Sequence, residues 1–314
     1  MEKKIKNLIL VFLIALPLCN ISAQGCSDSG FCTMGAFRPD QPDFGKFFIK
    51  INSIELTQHL GFTPFNDVIH STFLDANIGI GKKNFLHVRL PAYTIIEGEL
   101  GTTRGWGDIF VNYSRSLYST PSLAVKLTAG AKIVTTAPSN TSEDGLPIPL
   151  YRQIAFGSND VNAGISVSNK NWMFAAGYQK ALNQIENDFK HSDWEGHDLE
   201  SIVVEYDESA GLSRGDDIML RIERSVRLAR FNFYGGPLAL WRINNDKVLN
   251  ENNVLVPVQG SSGLALNLVV GGGFHFNTRM SIRLLNSIRL KDRKANPDGL
   301  NRVFISQLAY QLRF

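Results

Sequence analysis

The sequence predicts an all-β fold, a transmembrane antiparallel up-and-down barrel of about twelve strands (about 10 to 14), with short periplasmic turns and long outer loops. Three observations lead to this prediction. The chain ends in a strand whose last residue is aromatic, strand-like segments follow one another through links that alternate in length, and the chain begins with an export signal.

The C-terminal stretch 301–314 has a period of two residues. From 304 onward its even positions are apolar except for Ser306, and they include Phe304, Leu308 and the three residues Tyr310, Leu312 and Phe314. This period indicates a strand with one apolar and one polar face. A terminal strand of this kind would be an exposed edge in a soluble domain, whereas a closed barrel has no edge. The ending also resembles the signal that barrel-assembly machinery recognises, which makes that machinery an expected partner.

The first 23 residues have the features of a secretory signal peptide. Lys3, Lys4 and Lys6 precede an apolar run over 8–18, and Ala23 offers a small residue for cleavage. The run is too short for an ordinary transmembrane helix. Three lysines and Glu2 leave with the peptide, so the mature chain is nearly neutral, which excludes nucleic acid as an expected partner.

The remaining chain divides into an N-terminal segment, 24–45, and a barrel, 46–314. The predicted strands are 46–60, 70–81, 84–97, 105–118, 121–135, 154–168, 171–184, 215–227, 230–242, 259–276, 279–290 and 301–314. Tryptophans 106, 172 and 241 fall near the ends of these strands, where aromatic girdles meet the membrane surface.

The links between these strands alternate between short and long. This asymmetry is typical of outer-membrane barrels and predicts location in the outer membrane of a Gram-negative-type bacterium, with lipid and lipopolysaccharide as surroundings. The long links are expected outside, at 61–69, 98–104, 136–153, 185–214, 243–258 and 291–300.

The segment 24–45 has no periodicity and contains Cys26 and Cys32. In an exported chain an even pair of cysteines predicts a disulfide, with lipidation of Cys26 as the alternative. The segment precedes the first strand, and it has phenylalanines to bury and glycines that let it fold tightly. It is therefore expected to enter the periplasmic mouth as a plug, or else to remain a simple leader.

Seven charged residues share a strand face opposite the apolar residues, which predicts that they point into the lumen. They either form ion pairs that stiffen a narrow barrel or line a pathway. They are Asp108, Lys126, Lys132, Arg221, Glu223, Arg283 and Arg289.

The spacing His191, Asp193, Glu195, His197 in the fourth long link could collect metal ligands or the acid and base of a surface hydrolase. Charged runs on outer loops are more commonly solvated, and the chain lacks both a nucleophile-elbow motif and an H-E-x-x-H motif. We therefore expect no enzyme activity, no bound metal and no cofactor.

Short motifs in a fixed order resemble a known family. Gly105-Trp106-Gly107-Asp108 opens a predicted strand. It is followed along the chain by 144–147 and 151–153, then by Gly157 and Asp160, and finally by 177–179. This series is similar to the outer-membrane family of the meta-pathway of phenol degradation, which belongs with fatty-acid-channel-type transporters of hydrophobic compounds. The resemblance covers about 70–314 and implies a barrel whose N-terminal segment lies inside it.

Taken together, these features predict a passive outer-membrane channel for a small hydrophobic or aromatic solute. The competing hypothesis is a structural or partner-binding barrel with a blocked lumen. A surface hydrolase is the third.

Overall fold

The computed structural model describes residues 49–137 and 140–314. The signal peptide, the segment 24–45 and the cysteine pair lie outside the described residues, so the predictions about them stay predictions. Among the described residues, no helix is both long enough and apolar enough to cross a membrane.

The described chain forms sixteen strands, of which fourteen build one antiparallel sheet. The two others, β12 and β13, form a separate hairpin in an outer loop. The strands are β1 Ile49–Phe62, β2 Val68–Ile80, β3 Asn84–Arg89, β4 Tyr93–Gly98, β5 Gly101–Trp106, β6 Ile109–Ser119, β7 Ala124–Ile133, β8 Asp160–Ser168, β9 Trp172–Ala181, β10 Asp217–Leu228, β11 Phe231–Arg242, β12 Lys247–Leu249, β13 Leu255–Pro257, β14 Gly263–His275, β15 Met280–Lys291 and β16 Phe304–Arg313.

The sheet closes because β1 pairs with both β2 and β16. The fourteen strands occupy twelve places around the barrel. Two of these places each hold two consecutive short strands, β3 with β4 in one and β5 with β6 in the other. The C-terminal strand is the closing strand, since Leu312 lies opposite Ile54 and Tyr310 opposite Leu56. The predicted barrel of about twelve strands is confirmed.

The two faces of the wall differ as the period of two requires. In β10, Ile218, Leu220 and Ile222 are exposed on the outside, whereas Met219 and Arg221 are buried inside. A belt of exposed apolar side chains on a closed barrel fits lipid and would be unfavourable in water. The chain is therefore an outer-membrane β-barrel, as its sequence predicts.

Aromatic residues stand at the ends of the outward-facing rows. Trp172 begins β9, Trp106 ends β5, and Trp241 is the last but one residue of β11, all three exposed. The Tyr178 hydroxyl, on β9, donates a hydrogen bond at 2.6 Å to Asp216, the residue directly before β10. The three tryptophans thus lie at strand ends, as the sequence predicts, and their place at the membrane interfaces stays a prediction.

Short periplasmic connections alternate with outer links along the chain. Two of the outer links are shorter than the sequence predicts. The flanking strands extend into 61–69 from both ends and leave 63–67 outside the sheet. The link expected at 98–104 is a tight turn of two residues, Glu99 and Leu100, because Gly101 adopts a φ of +88° that favours glycine. The strand expected to begin at 154 begins at Asp160 instead, after Gly157 with its φ of +66°.

Four long outer links remain, at 134–159, 182–216, 243–262 and 292–303. Their described residues contain two 3-10 turns, Leu150–Arg152 and His191–Trp194, and one short helix, α1, Glu200–Val203. The links pack together over the outer mouth of the barrel, and this layer is called the outer cap below.

Candidate functional site: the lumen and its outer mouth

All seven charged residues that the sequence assigns to the lumen lie on the inner side of the wall. Lys126 is buried with its Nζ 5.1 Å from the centre of the Phe85 ring. Arg221 donates to Glu223 at 2.6 Å, and both side chains are almost fully buried. Most of the other inward charges are also paired, so the arrangement resembles the expected ion pairs of a stiff barrel more than a row of free charges.

Arg283 on β15 forms an ion pair with Glu55 on β1, which bridges strands on either side of β16. Arg289, near the outer end of β15, pairs with Asp292 at 2.6 Å. These contacts join the charged residues of the closing strands to each other and to the last outer link.

Asp108 lies in the break between β5 and β6 and accepts a hydrogen bond from the Thr135 amide at 3.2 Å. The break belongs to the motif Gly105-Trp106-Gly107-Asp108, in which the Gly107 amide donates to the carbonyl of Ala92 at 2.8 Å. The sequence predicts that this motif opens a strand over 105–118, and that prediction is wrong, because Gly105 and Trp106 end β5 and the next strand begins only at Ile109. The motif interrupts the wall beside the cap.

A buried ionic network joins the outer ends of β10 and β11 to the last two outer links. Arg242 contacts Asp217 at 2.8 Å, Asp246 at 2.7 Å and Asp298 at 2.8 Å. Arg293 adds a contact to Asp298 at 3.1 Å. Burial alone would raise the pKa of Asp298, but Arg293 and Arg242 outweigh it and hold that pKa well below its usual range.

The network continues along the mouth through Asp160, the first residue of β8. Lys132 and Arg214 both approach its Oδ2 atom, at 3.5 Å and 3.0 Å. Ser158 and Gln179 donate to the same carboxylate at 2.7 Å each. Asp160 belongs to the second sequence motif, and its structural role is to anchor charges from the wall and from the loop before β10.

The outer cap has its own ionic latch, Asp67 with Arg152. The Arg152 Nη1 atom lies 2.7 Å from Asp67, and both side chains are fully buried. Tyr206 also donates to Asp67, at 3.2 Å, and Arg152 contacts the carbonyl of Gly101. Burial raises the pKa of Asp67 although Arg152 acts in the opposite direction. Three outer links and the first residue of β5 thus meet at one carboxylate and one guanidinium.

An aromatic and aliphatic cluster surrounds this latch. Trp194, Phe189 and Val203 are fully buried, and Tyr151 packs edge-on against Tyr206 with 5.8 Å between ring centres. The Trp194 indole donates to the carbonyl of Pro147 at 2.8 Å. The cap is therefore a packed layer with a small hydrophobic core.

The histidines predicted as possible ligands are used separately within this layer. The Nε2 atom of His191 is 2.8 Å from the carbonyl oxygen of Tyr206, and that of His197 is 3.1 Å from Asp144. The acids between them, Asp193 and Glu195, are exposed. Over 49–137 and 140–314 no group of three or more His, Cys, Asp or Glu side chains could hold a metal.

A cavity of about 90 Å³ lies inside the wall below the cap, where the strands break. Within the cavity the Arg89 guanidinium lies 4.0 Å from the centre of the Phe73 ring and 6.0 Å from that of Phe110. The lining is completed by further apolar residues and by polar groups. These are His59, Ile69, Ser71, Ala92, Thr94, Ile96, Gly107, Asp108, Gln153, Ile154, Phe156, Arg302 and Gln307.

The polar lining groups of the cavity are themselves held in place. Arg89 donates to Asp75 at 2.8 Å, and Gln307 lies 3.1 Å from the His59 ring. Sequence analysis named three lining residues, Gly107, Asp108 and Gln153 within 151–153, and assigned only Asp108 to the lumen. It missed the others because their common location depends on contacts between distant strands, for which the pattern of alternation alone gives no signal.

The predicted assembly signal occupies the end of the closing strand. Tyr310 and Phe314 are exposed on the outer side, and the Phe314 amide donates to the carbonyl of Asn52 at 3.1 Å. Recognition by the assembly machinery remains a prediction.

No family model and no curated protein matches this sequence. Among solved structures, an outer-membrane channel from Pseudomonas putida F1 has a TM-score of 0.54 at 11% identity, over 88% of this chain and 99% of that one. The NanC porin gives a TM-score of 0.46 at 8% identity, over 84% and 98%. The CymD monoaromatic hydrocarbon channel gives 0.42 at 10% identity, over 85% and 89%. The first likeness shows the fold, and the resemblance to the phenol meta-pathway family remains a prediction.

Proposed function

We propose that this barrel is a passive outer-membrane channel for small hydrophobic or aromatic compounds. The observation that carries the proposal is the cavity below the outer cap. Its lining combines three phenylalanines, 73, 110 and 156, with fixed polar groups that can orient a hydroxyl or a similar substituent. The fold likeness to an outer-membrane channel supports the same proposal.

The mechanism would be diffusion down a gradient, with the cavity as the narrow step of the path. Apolar surface around a solute favours its entry, and a shallow site lets it leave again. Because the solute is not changed, the residues around the cavity act by shape and contact alone. Asp108 and Arg89 set the polar side of the cavity, and neither needs to transfer a proton.

The segment 24–45 would regulate this path as a periplasmic plug or gate. We propose that a Cys26–Cys32 disulfide closes a small loop in it and lowers the entropy lost when the segment docks. Deleting 24–45 should raise the conductance or the open probability in planar bilayers, and reducing the disulfide should do so in part. Unchanged conductance in both cases would leave the segment a leader.

A second candidate, a structural barrel with a blocked lumen, is favoured by the closed outer mouth. The Asp67–Arg152 latch is fully buried, and the network around Arg242 ties two outer links to the wall. Such a layer would prevent passage if it never opens, and the long loops would then serve to bind a partner.

Liposome swelling with solutes of graded size separates the two candidates. A channel accelerates swelling for the smallest solutes, and the removal of the latch by Arg152→Leu should extend the range to larger ones. Arg104→Leu, at an exposed position on β5, is the matched control. Swelling no faster than in protein-free liposomes, for the folded wild-type chain and for the latch variant, would contradict the channel.

Filling the cavity tests the solute class. Phe110→Trp should reduce permeation of monoaromatic solutes more than that of sugar alcohols of equal size, because it removes the space beside Arg89. Phe233→Trp, on the lipid-facing side of β11, adds the same volume elsewhere. Equal reduction for both classes of solute would leave the path open but remove the proposed preference for aromatic compounds.

A further inference from the structure

The two rims of the barrel differ in the sign of their charged residues. The outer links contain many acids, such as those between Asp193 and Glu208. The five periplasmic turns contain five cationic residues and no acidic side chain. These turns lie at 81–83, 120–123, 169–171, 229–230 and 276–279. The rim that the turns form is therefore a cationic surface where the strands leave the membrane.

Three turns that follow one another around the barrel carry a set of cations that we call the basic arc. It consists of Lys170 in the first of these turns, Arg224 near the end of β10, Arg230 in the second turn and Arg279 in the third. All four side chains are exposed, and among the described residues none of them forms an ion pair. Glu223, the acid next to Arg224 in sequence, lies on the inner face, where its carboxylate is already paired.

Backbone hydrogen bonds tie these turns to the neighbouring strands. The Ser225 amide donates to the carbonyl of Asn171 at 2.7 Å, which places Arg224 beside the first turn. The His275 amide donates to the carbonyl of Arg230 at 2.9 Å, which places the second turn against β14, the strand that leads into the third. The cations of the basic arc therefore lie along one continuous rim.

Aromatic rings border the basic arc on the outward face of the barrel. The Arg224 guanidinium lies over the exposed Trp172 ring, 5.2 Å from its centre. Trp172 in turn stacks on Phe174, with 6.1 Å between ring centres. Phe231, the first residue of β11, packs against Phe274 at 4.9 Å. The outward surface thus presents contacting rings within a few residues of the cations.

This combination of cations and rings indicates the chemistry of the partner. A ligand that covers both features needs a negative group for the cations and an apolar part for the rings. An acidic soluble protein would meet the turns but not the outward face of β9 and β11, which is expected to contact acyl chains. A zwitterionic headgroup would bring its own ammonium next to four cations. An anionic phospholipid has the phosphate, lacks the ammonium and belongs to the adjoining leaflet.

We propose that the basic arc and its aromatic border bind an anionic phospholipid in the periplasmic leaflet of the outer membrane. Arg224 and the turn cations bind the phosphate, while the rings contact the glycerol and the upper part of the acyl chains. Stacking on Trp172 holds the Arg224 guanidinium against the wall, where it can meet a headgroup. The site lies on the outward surface, so it does not depend on whether the lumen conducts a solute.

Quenching of Trp172 fluorescence by brominated lipid tests the site directly. In the full chain with Trp106→Phe and Trp241→Phe, Trp172 is the remaining exposed tryptophan, because Trp194 is fully buried in the outer cap. In phosphatidylcholine vesicles, brominated phosphatidylglycerol should bind beside Trp172 about fivefold more tightly than brominated phosphatidylcholine, and the difference should shrink at high ionic strength. Equal quenching by the two brominated lipids would overturn the proposal.

Two double variants of this reporter chain distinguish a site from general attraction between charges. Arg224→Gln with Arg230→Gln should remove most of the preference for phosphatidylglycerol. Lys82→Gln with Lys83→Gln removes the same charge from the turn across the barrel and should leave the preference at Trp172 unchanged. All four positions are exposed, so both variants should fold. An equal loss of preference in the two variants, or no loss in the arginine variant, would overturn the proposal.

Discussion

The two ends of this barrel are built on different principles. At the periplasmic end, each link is two to four residues long and is held by its own backbone and side chains. Asn169 and Asn277 illustrate this, because each side-chain oxygen accepts hydrogen bonds from amides two and three residues further on, at 2.8 to 2.9 Å. At the outer end, the links depend on one another through buried ionic contacts.

The difference concerns the distance along the chain over which each contact acts. Asp67 and Arg152 are 85 residues apart in sequence, and Arg242 and Asp298 are 56 apart. The periplasmic end can therefore form as soon as neighbouring strands meet, whereas the outer cap requires most of the wall to be in place. A rearrangement of the outer cap would have to break contacts that several links share, whereas each periplasmic turn can change without the others.

The largest expected effect tests which end is outside. Tags placed in 185–214 or 243–258 should be accessible on intact cells, and tags at 168–171 or 276–279 should be hidden until the outer membrane is breached. The reason is that the long links form the cap and the short turns face the periplasm. Equal labelling of both sets on intact cells would contradict the orientation.

Removing the central cation of the outer network should cause the largest loss of stability. Arg242→Ala leaves the buried Asp217 and Asp246 without their main partner, which should cost about 3–5 kcal/mol of unfolding free energy. Urea-induced unfolding in liposomes, followed by tryptophan fluorescence, measures this loss.

The control for that measurement is Lys180→Ala at an exposed position of β9. A surface change of this kind should stay within about 0.5 kcal/mol of the wild type. If the two variants unfold at the same urea concentration, the network does not hold the outer mouth.

The outer end should respond to acid, and only to strong acid. The pKa of Asp298 in the folded chain lies below its unfolded value of about 4. The stabilisation that it provides is therefore complete above about pH 4 and is lost as the pH falls through the folded pKa. Burial raises the pKa of Asp246, so protonation of that group does not weaken the folded state.

Protease cleavage within 292–303 measures this acid response. Cleavage should be slow and constant between about pH 5 and 8 and should rise only in more acidic solution. In Asp298→Asn the same link should be cleaved faster throughout the neutral range. Cleavage of the wild type that rises already near pH 6 would show that another group controls the mouth.

The contrast between the ends also explains what the sequence could predict. The wall follows from alternation, so the inward positions of Lys132 and Arg221 and the closing role of 304–313 can be inferred from local patterns. The sequence predicts a long link over 98–104, but only Glu99 and Leu100 lie outside the strands. Polar residues such as Thr102 and Thr103 occur in loops and also in strands outside the lipid belt, so their type alone does not distinguish the two.

The cap could not be predicted in the same way. Nothing near Asp67 in the sequence indicates that its partner is Arg152, and Trp194 lies in an acidic run that indicates solvent although its ring is fully buried. Pairing between distant loops depends on the complete wall, which positions the loops. The sequence therefore predicts the scaffold of the candidate site and only some of the residues around the cavity.

The smallest expected effect is at the periplasmic end. Asn277→Ala removes one side-chain acceptor from the amides of Arg279 and Met280 in the turn between β14 and β15. These amides lie at an exposed turn and can bind water instead, so the loss should be about 1 kcal/mol. Urea unfolding measures it under the conditions used for Arg242→Ala. Asn277→Asp keeps the acceptor and should unfold close to the wild type. A loss from Asn277→Ala as large as that from Arg242→Ala would show that the turn is coupled to the rest of the barrel, and the distinction between a locally formed end and a cooperative end would fail.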